Sequence, residues 1–209
     1  MAEGKAGRPD IEGMVRRGEI DEIILGAKGG NPDTLSDIID ALVGLGDAAV
    51  PALIRALRDA DHQVHMVASI ALGKIGRPAV LPLVHALRER DGMTRVKIAD
   101  ILADIGDPAV LGIIAALQDP DEEVRVLSAF ALGEIRDPRG IDPLIIALRD
   151  GSEAVRAQAA ISLGELGAPG GEEALAKAAE NDASPAVRQV AANALVRVRE
   201  VKEDREASR

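Results

Sequence analysis

Cysteine, tryptophan and tyrosine are absent from this chain of 209 residues, and phenylalanine occurs once, at Phe130. Without a thiol there is no disulfide, no cysteine-ligated zinc and no cysteine nucleophile. With a single Phe, platforms on which nucleic-acid bases stack are essentially missing. Basic side chains are also scarce: 25 Lys and Arg stand against 35 Asp and Glu, a formal charge of −10. A surface of that sign repels phosphate backbones, so nucleic acid is disfavoured as a partner on two independent grounds. Apolar runs such as Val110 to Leu117, itself interrupted by a Gly, are far too short to span a bilayer. The opening MAEGKAGRPD holds no apolar core of a signal peptide. The expectation is a cytoplasmic chain with no membrane contact and no cofactor.

What the chain does have is a repeat. LADIGDPAVLGIIAALQD (102–119) falls on LGKIGRPAVLPLVHALRE (72–89), on LVGLGDAAVPALIRALRD (42–59) and on LGELGAPGGEEALAKAAE (163–180). The marker residues Leu42, Leu72, Leu102, Leu132, Leu163 and Leu195 are spaced by 30, 30, 30, 31 and 32. A fixed period of this length defines a solenoid, in which each unit packs only on its neighbours.

Each unit reads as two helices. Gly46, Gly76, Gly106 and Gly167 mark left-handed turns that end one unit, with Arg136 at the remaining junction. Pro78, Pro108, Pro138 and Pro169 open the first helix of the next unit, helix A, with Ala48 in the first copy. Its apolar face is Val50, Leu53, Ile54 and Leu57 in one copy and Val110, Ile113, Ile114 and Leu117 in another, at helical spacing. An acidic turn follows, and Asp or Ser caps helix B. Helix B buries Val64, Val67, Ala68, Ala71, Leu72 and Ile75, or Val124, Leu127, Ser128, Ala131, Leu132 and Ile135. The reading is a loose tail at 1–9 and a single domain at 10–198. That domain comprises an irregular cap (10–45) and repeats at 46–75, 76–105, 106–135, 136–166 and 167–198. A charged tail at 199–209 lacks an apolar stripe and is expected to fray.

The string D-x-x-V-R-x-x-A-x-x-A-L-G-x-I, standing here at Asp121 to Ile135, resembles the HEAT repeat in the short form also seen in phycobilin lyases. The resemblance covers residues 19–198. It implies an all-α fold: a right-handed α-solenoid of about six antiparallel helix pairs, with helices A convex and helices B concave. It does not fix an activity. A HEAT-type metalloenzyme, deoxyhypusine hydroxylase, holds iron with His-Glu pairs. This chain has no His-Glu dipeptide, so that activity is not carried over.

One column of charge recurs on helix B: His65, Arg95, Arg125, Arg156 and Arg188. Each Arg can reach an Asp of a neighbouring inter-helix turn (Asp59, Asp119, Asp150, Asp182), making a structural ladder rather than a ligand site. His62 and His65 are three apart and His85 stands on the next helix A; with no third ligand evident they are surface histidines, and no metal site is expected. Asp104, Glu134 and Glu165 recur at one register and read as a solvated acidic rim. GAPGGEE (167–173) lacks the Lys-Ser/Thr of a phosphate loop, and no catalytic residue stands out.

On the face of helix B opposite its core, Met66, Ile70, Val96, Val126, Phe130 and Ile161 form an apolar strip, with Gly73, Ala103, Gly133 and Gly164 at the same face. Asp100 and Glu134 flank it. An apolar strip rimmed by charge marks a binding surface. Tight curvature, which lets neighbouring helices cover the strip, is the competing explanation. The functional expectation is a non-enzymatic scaffold whose concave face takes a protein or peptide, through Met66, Ile70, Val96, Asp100, Val126, Phe130, Glu134 and Ile161. Its partner carries a basic amphipathic segment. The alternative is a lyase-like enzyme or enzyme subunit.

Overall fold

The computed structural model describes residues 10–89 and 91–207, excluding the side chains of 205 and 206. Residues 1–9, the expected loose tail, lie outside the described residues. Among the described residues every regular element is helical and no strand occurs, so the fold is an all-α solenoid. The chain divides after Ala86 into two compact units. The division falls between the two helices of the repeat at 76–105. No helix among the described residues is long and apolar enough to cross a membrane.

The first unit contains α1 (Ile11–Arg17), α2 (Ile20–Leu25), α3 (Pro32–Leu45), α4 (Val50–Ala56), α5 (His62–Ile75) and α6 (Arg77–Ala86). Local chemistry sets their ends. Asp10 accepts from the Gly13 N–H at 3.0 Å to start α1, and Gly18 stops it at φ 70. Asn31 caps α3 through the Thr34 N–H at 2.9 Å, with Pro32 in the first turn, where its missing N–H costs nothing. Asp61 caps α5 through the N–H groups of Gln63 and Val64. α5 packs on both α3 and α4.

The second unit contains α7 (Gly92–Ile105), α8 (Val110–Ala116), α9 (Glu122–Ile135), α10 (Ile141–Ala147), α11 (Glu153–Glu165), α12 (Glu172–Asn181) and α13 (Pro185–Ala207). The B helices α7, α9, α11 and α13 pack in a row, and α8, α10 and α12 each pack on the B helix that follows. Pro108, Pro138 and Pro169 do not begin α-helices themselves. They lie in 3-10 turns, Asp107–Ala109, Pro138–Gly140 and Pro169–Gly171, which lead into α8, α10 and α12. A Pro with φ fixed and no donor suits that tight first turn.

The core follows the helical period. Val110, Ile113 and Leu117 of one A segment, and Val124, Leu127, Ser128, Ala131 and Leu132 of α9, are buried. Each fully buried Leu or Ile contributes about 1.5–3 kcal/mol against leaving it in water. Ile75 and Ile135, at the helix ends, are only half-buried. The expected fraying from residue 199 is corrected: α13 continues to Ala207. Arg199 and Lys202 reach Glu172 at the start of α12, at 3.0 and 3.2 Å, and Val201 covers Gly167. The charges lacking an apolar stripe have a carboxylate to pair with.

Candidate functional site

The arginine column is built from one bond pattern. Arg125 donates to the Asp119 carbonyl at 2.8 Å, Arg156 to the Asp150 carbonyl at 3.0 Å and Arg188 to the Asp182 carbonyl at 2.7 Å. In each case the carbonyl lies six residues upstream, so the guanidinium ties the start of helix B to the preceding turn. The rest of the fork reaches the next turn. Arg125 Nε and Nη2 hold Asp150 at 2.8 and 3.0 Å, and Arg156 Nε and Nη2 hold Asp182 at the same distances. The Arg156 hydrogen bonds keep the Asp182 carboxyl below the usual carboxylate range, against the opposing effect of burial. Burial pushes the Asp150 carboxyl up, but hydrogen bonds from Arg125 and the Ser152 N–H outweigh it and leave it lowered.

Two members of the column differ. Arg95 bonds the Glu89 carbonyl but pairs with Asp121 at 3.0 Å, not with Asp119. Asp119, whose side chain is 3% exposed, is taken by Arg88 from the turn before α7, at 2.8 and 2.6 Å. Arg88 is a ladder residue that the column on helix B does not reveal, because it stands in the inter-helix turn, at the position of Arg58 and Arg149 in other copies. In α5, His65 stands in for Arg: its Nδ1 lies 3.4 Å from the Asp59 carbonyl. Its other nitrogen lies 3.2 Å from Nδ1 of His62. Asp59 pairs with Lys28 at 3.6 Å. No group of three or more potential metal ligands occurs among the described residues.

The strip residues fall in both units. In the first, Met66 is half-buried and Ile70 is 39% exposed. In the second, Val96 is 44% exposed, and Val126, Phe130 and Ile161 are half-buried. The glycines expected beside them are corrected. Gly133 and Gly164 are buried at close approaches between helices. A Cβ on Gly133 would lie 2.6 Å from Ser162 Oγ of α11, and one on Gly164 2.9 Å from Ala194 Cβ of α13. Ser162 is itself buried and donates to the Ala129 carbonyl at 2.8 Å. A helical wheel treats each helix as an isolated cylinder, so it assigns to open space a face that the neighbouring helix partly covers.

Asp100, Asp104 and Glu134 are exposed and converge from α7 and α9. Burial, followed by the charges of Asp104 and then Glu134, pushes the Asp100 carboxyl up. Glu165, at the matching register, is half-buried, and its Oε2 has no hydrogen-bond partner among the described residues. It lines a pocket between α11 and α13 with Ile161, Val190, Asn193, Ala194 and Arg197. Asn193 and Arg197 of α13 stand 32 residues after Ile161 and Glu165, at the register of the strip and its rim, but neither continues the apolar or acidic pattern, so the sequence reading passes over them.

Stacked helix pairs, a carbonyl-and-carboxylate arginine ladder and a row of closely packed B helices define an α-solenoid repeat protein. The HEAT repeats profile matches residues 20–91, 80–150 and 141–207, and the chain belongs to that family. Among solved structures, it is similar at 25% identity and TM-score 0.54 to a chain of the complex of CpcE and CpcF of phycocyanin lyase from Nostoc sp. PCC7120, over 70% of this chain and 98% of that one. Human deoxyhypusine hydroxylase is 20% identical with a TM-score of 0.47, over 91% of this chain and 99% of that one. A HEAT-like repeats protein of Thermococcus onnurineus NA1 is 16% identical with a TM-score of 0.48, over 95% and 99%. No curated protein matches the sequence.

Proposed function

We propose that this chain is a non-enzymatic scaffold that binds a protein segment on the B-helix face of its second unit, the side that the HEAT geometry makes concave. The observation that supports this is the meeting of apolar and acidic groups on α7, α9 and α11. Val96 is exposed and Val126, Phe130 and Ile161 are half-open, beside three carboxylates of which Asp100 is pushed up first by partial burial and then by its like-charged neighbours. A partner cation would relieve that repulsion. The occupant that fits is an amphipathic helix bearing Lys or Arg beside its apolar side, laid into the groove. Met66 and Ile70 offer an apolar surface of the same kind on the first unit.

The test is a display library of helical peptides selected on the folded protein, followed by fluorescence anisotropy of the winners. Basic amphipathic peptides should emerge. Phe130→Ala should weaken their binding by about 2 kcal/mol, an interface-anchor amount, with the circular dichroism spectrum unchanged. Selection of peptides that ignore Phe130→Ala would defeat the reading. The second reading, a subunit of a lyase-like enzyme, draws on the similarity to a chain of the phycocyanin lyase complex, of which nearly the whole length is matched. Bilin transfer to an acceptor protein by this chain with a co-expressed partner would favour it.

A further inference from the structure

We propose that the outer face of α13 is a self-complementary surface on which a second copy of this chain docks, its own α13 lying antiparallel. Two independent observations carry this. The first is a register. Gly133 of α9 and Gly164 of α11 are buried against the next B helix, and Leu132 and Leu163 beside them are buried against Gly140 and Gly171 of the 3-10 turn that follows. The same register in α13 holds Leu195, half-buried, and Val196, 54% exposed. Where α9 and α11 carry a buried Leu-Gly pair, α13 turns an aliphatic pair outward.

The second observation is an open guanidinium. Arg125 and Arg156 each use one nitrogen on a carbonyl and close the rest of the fork on an Asp carboxylate. Arg188 makes only the carbonyl half, to Asp182 and Ala183, and no carboxylate among the described residues closes Nε and Nη2. On the same side of α13, Glu203 is exposed and without an ion pair among the described residues.

The occupant follows from spacing. Arg188, Ala192, Leu195, Arg199 and Glu203 recur three or four residues apart and so share one side of the helix. Arg188 and Glu203 are equidistant from the midpoint of Leu195 and Val196. A two-fold axis at that midpoint therefore sets the aliphatic pair against its own copy and brings each Arg188 to the Glu203 of the other chain. Such an interface is isologous and closes at two chains. The contact runs about 22 Å along each helix. One helix pair buries less than the roughly 1,200 Å² of a stable interface, so the association is reversible.

The measurement is sedimentation equilibrium of the full chain over a wide concentration series, in enough salt to screen its net charge of −10. The average mass should rise toward twice the monomer value. Val196→Glu, at an exposed site that leaves the fold intact, should abolish the rise, and Glu203→Arg should weaken association about tenfold. Because the chain has no native Cys, Val196→Cys should oxidise to a covalent dimer, while Gln189→Cys, far from the axis, should not. A monomer at every concentration overturns the proposal. So does a dimer indifferent to Val196→Glu that Val196→Cys fails to cross-link.

Discussion

Arg136 holds φ 56 and ψ 29 at the end of α9, the one non-glycine residue at positive φ among the described residues. Its Cβ crowds the backbone there, at a cost of roughly 1–2 kcal/mol that glycine avoids. At the matching junctions Gly76 and Gly106 take φ 70 with ψ near −130, a conformation more closed to side chains still. The Arg side chain is exposed and makes no hydrogen bond or ion pair among the described residues to offset the strain. Arg136→Gly should therefore stabilise the fold by about 1 kcal/mol, read as a rise in the urea midpoint at constant slope. The junction is legible in the sequence because glycine marks the other copies; the αL backbone at Arg136 is not, since the matching glycines take a different ψ.

At the scale of helices, two glycines that look alike in the sequence should respond in opposite ways to the same substitution. Gly44, in α3, has open space where a Cβ would go, so Gly44→Ala should stabilise by about 0.5–1 kcal/mol through helix propensity. Gly133 faces Ser162, whose Oγ, Cβ and Cα would lie 2.6, 2.8 and 3.0 Å from an added Cβ. The last of these is backbone and cannot rotate aside, so overpacking exceeds the propensity gain. Gly133→Ala should cost about 1–3 kcal/mol, measured by thermal or urea unfolding. The ladder joins the same helices through charge. Asp150 and Asp182 have folded pKa values below their ordinary one, so their contribution is present above about pH 3.9 and is lost as pH falls through the folded values. Arg156→Gln should lower stability by about 2 kcal/mol at pH 7, and the difference from the unmodified chain should shrink by pH 3. A difference that stays constant between the two pH values would show that Arg156 acts through packing alone.

For the whole chain, the period, the helix pairs and most of the buried positions can be read from residues alone, since Leu and Ala recur where a 3.6-residue turn brings them inward. What the sequence leaves out is distance between helices. Phe130 and Gly133 share a face on a helical wheel, yet one stays half-open and the other lies beneath Ser162. Asp119 matches the ladder pattern, but Arg88 reaches it before Arg95 does, a competition decided by geometry that spacing does not encode. The tail at 199–207 is misread for a related reason: its pairing with Glu172 depends on where the start of α12 lies.

The bonds that tie one repeat to the next stay close along the chain. Arg125 reaches Asp150 across 25 residues, and the Gly29 N–H reaches Gln63 across 34. Closing loops of this length costs little more entropy than closing shorter ones, and it need not wait for distant segments to meet. Contact order is accordingly low for a chain of this size, which places folding toward the fast end of the range. Any adjacent pair of repeats can serve as the nucleus, so a substitution that slows the start of folding in one repeat leaves others free to begin it. The regularity that builds the ladder thus gives the chain many equivalent places to start folding.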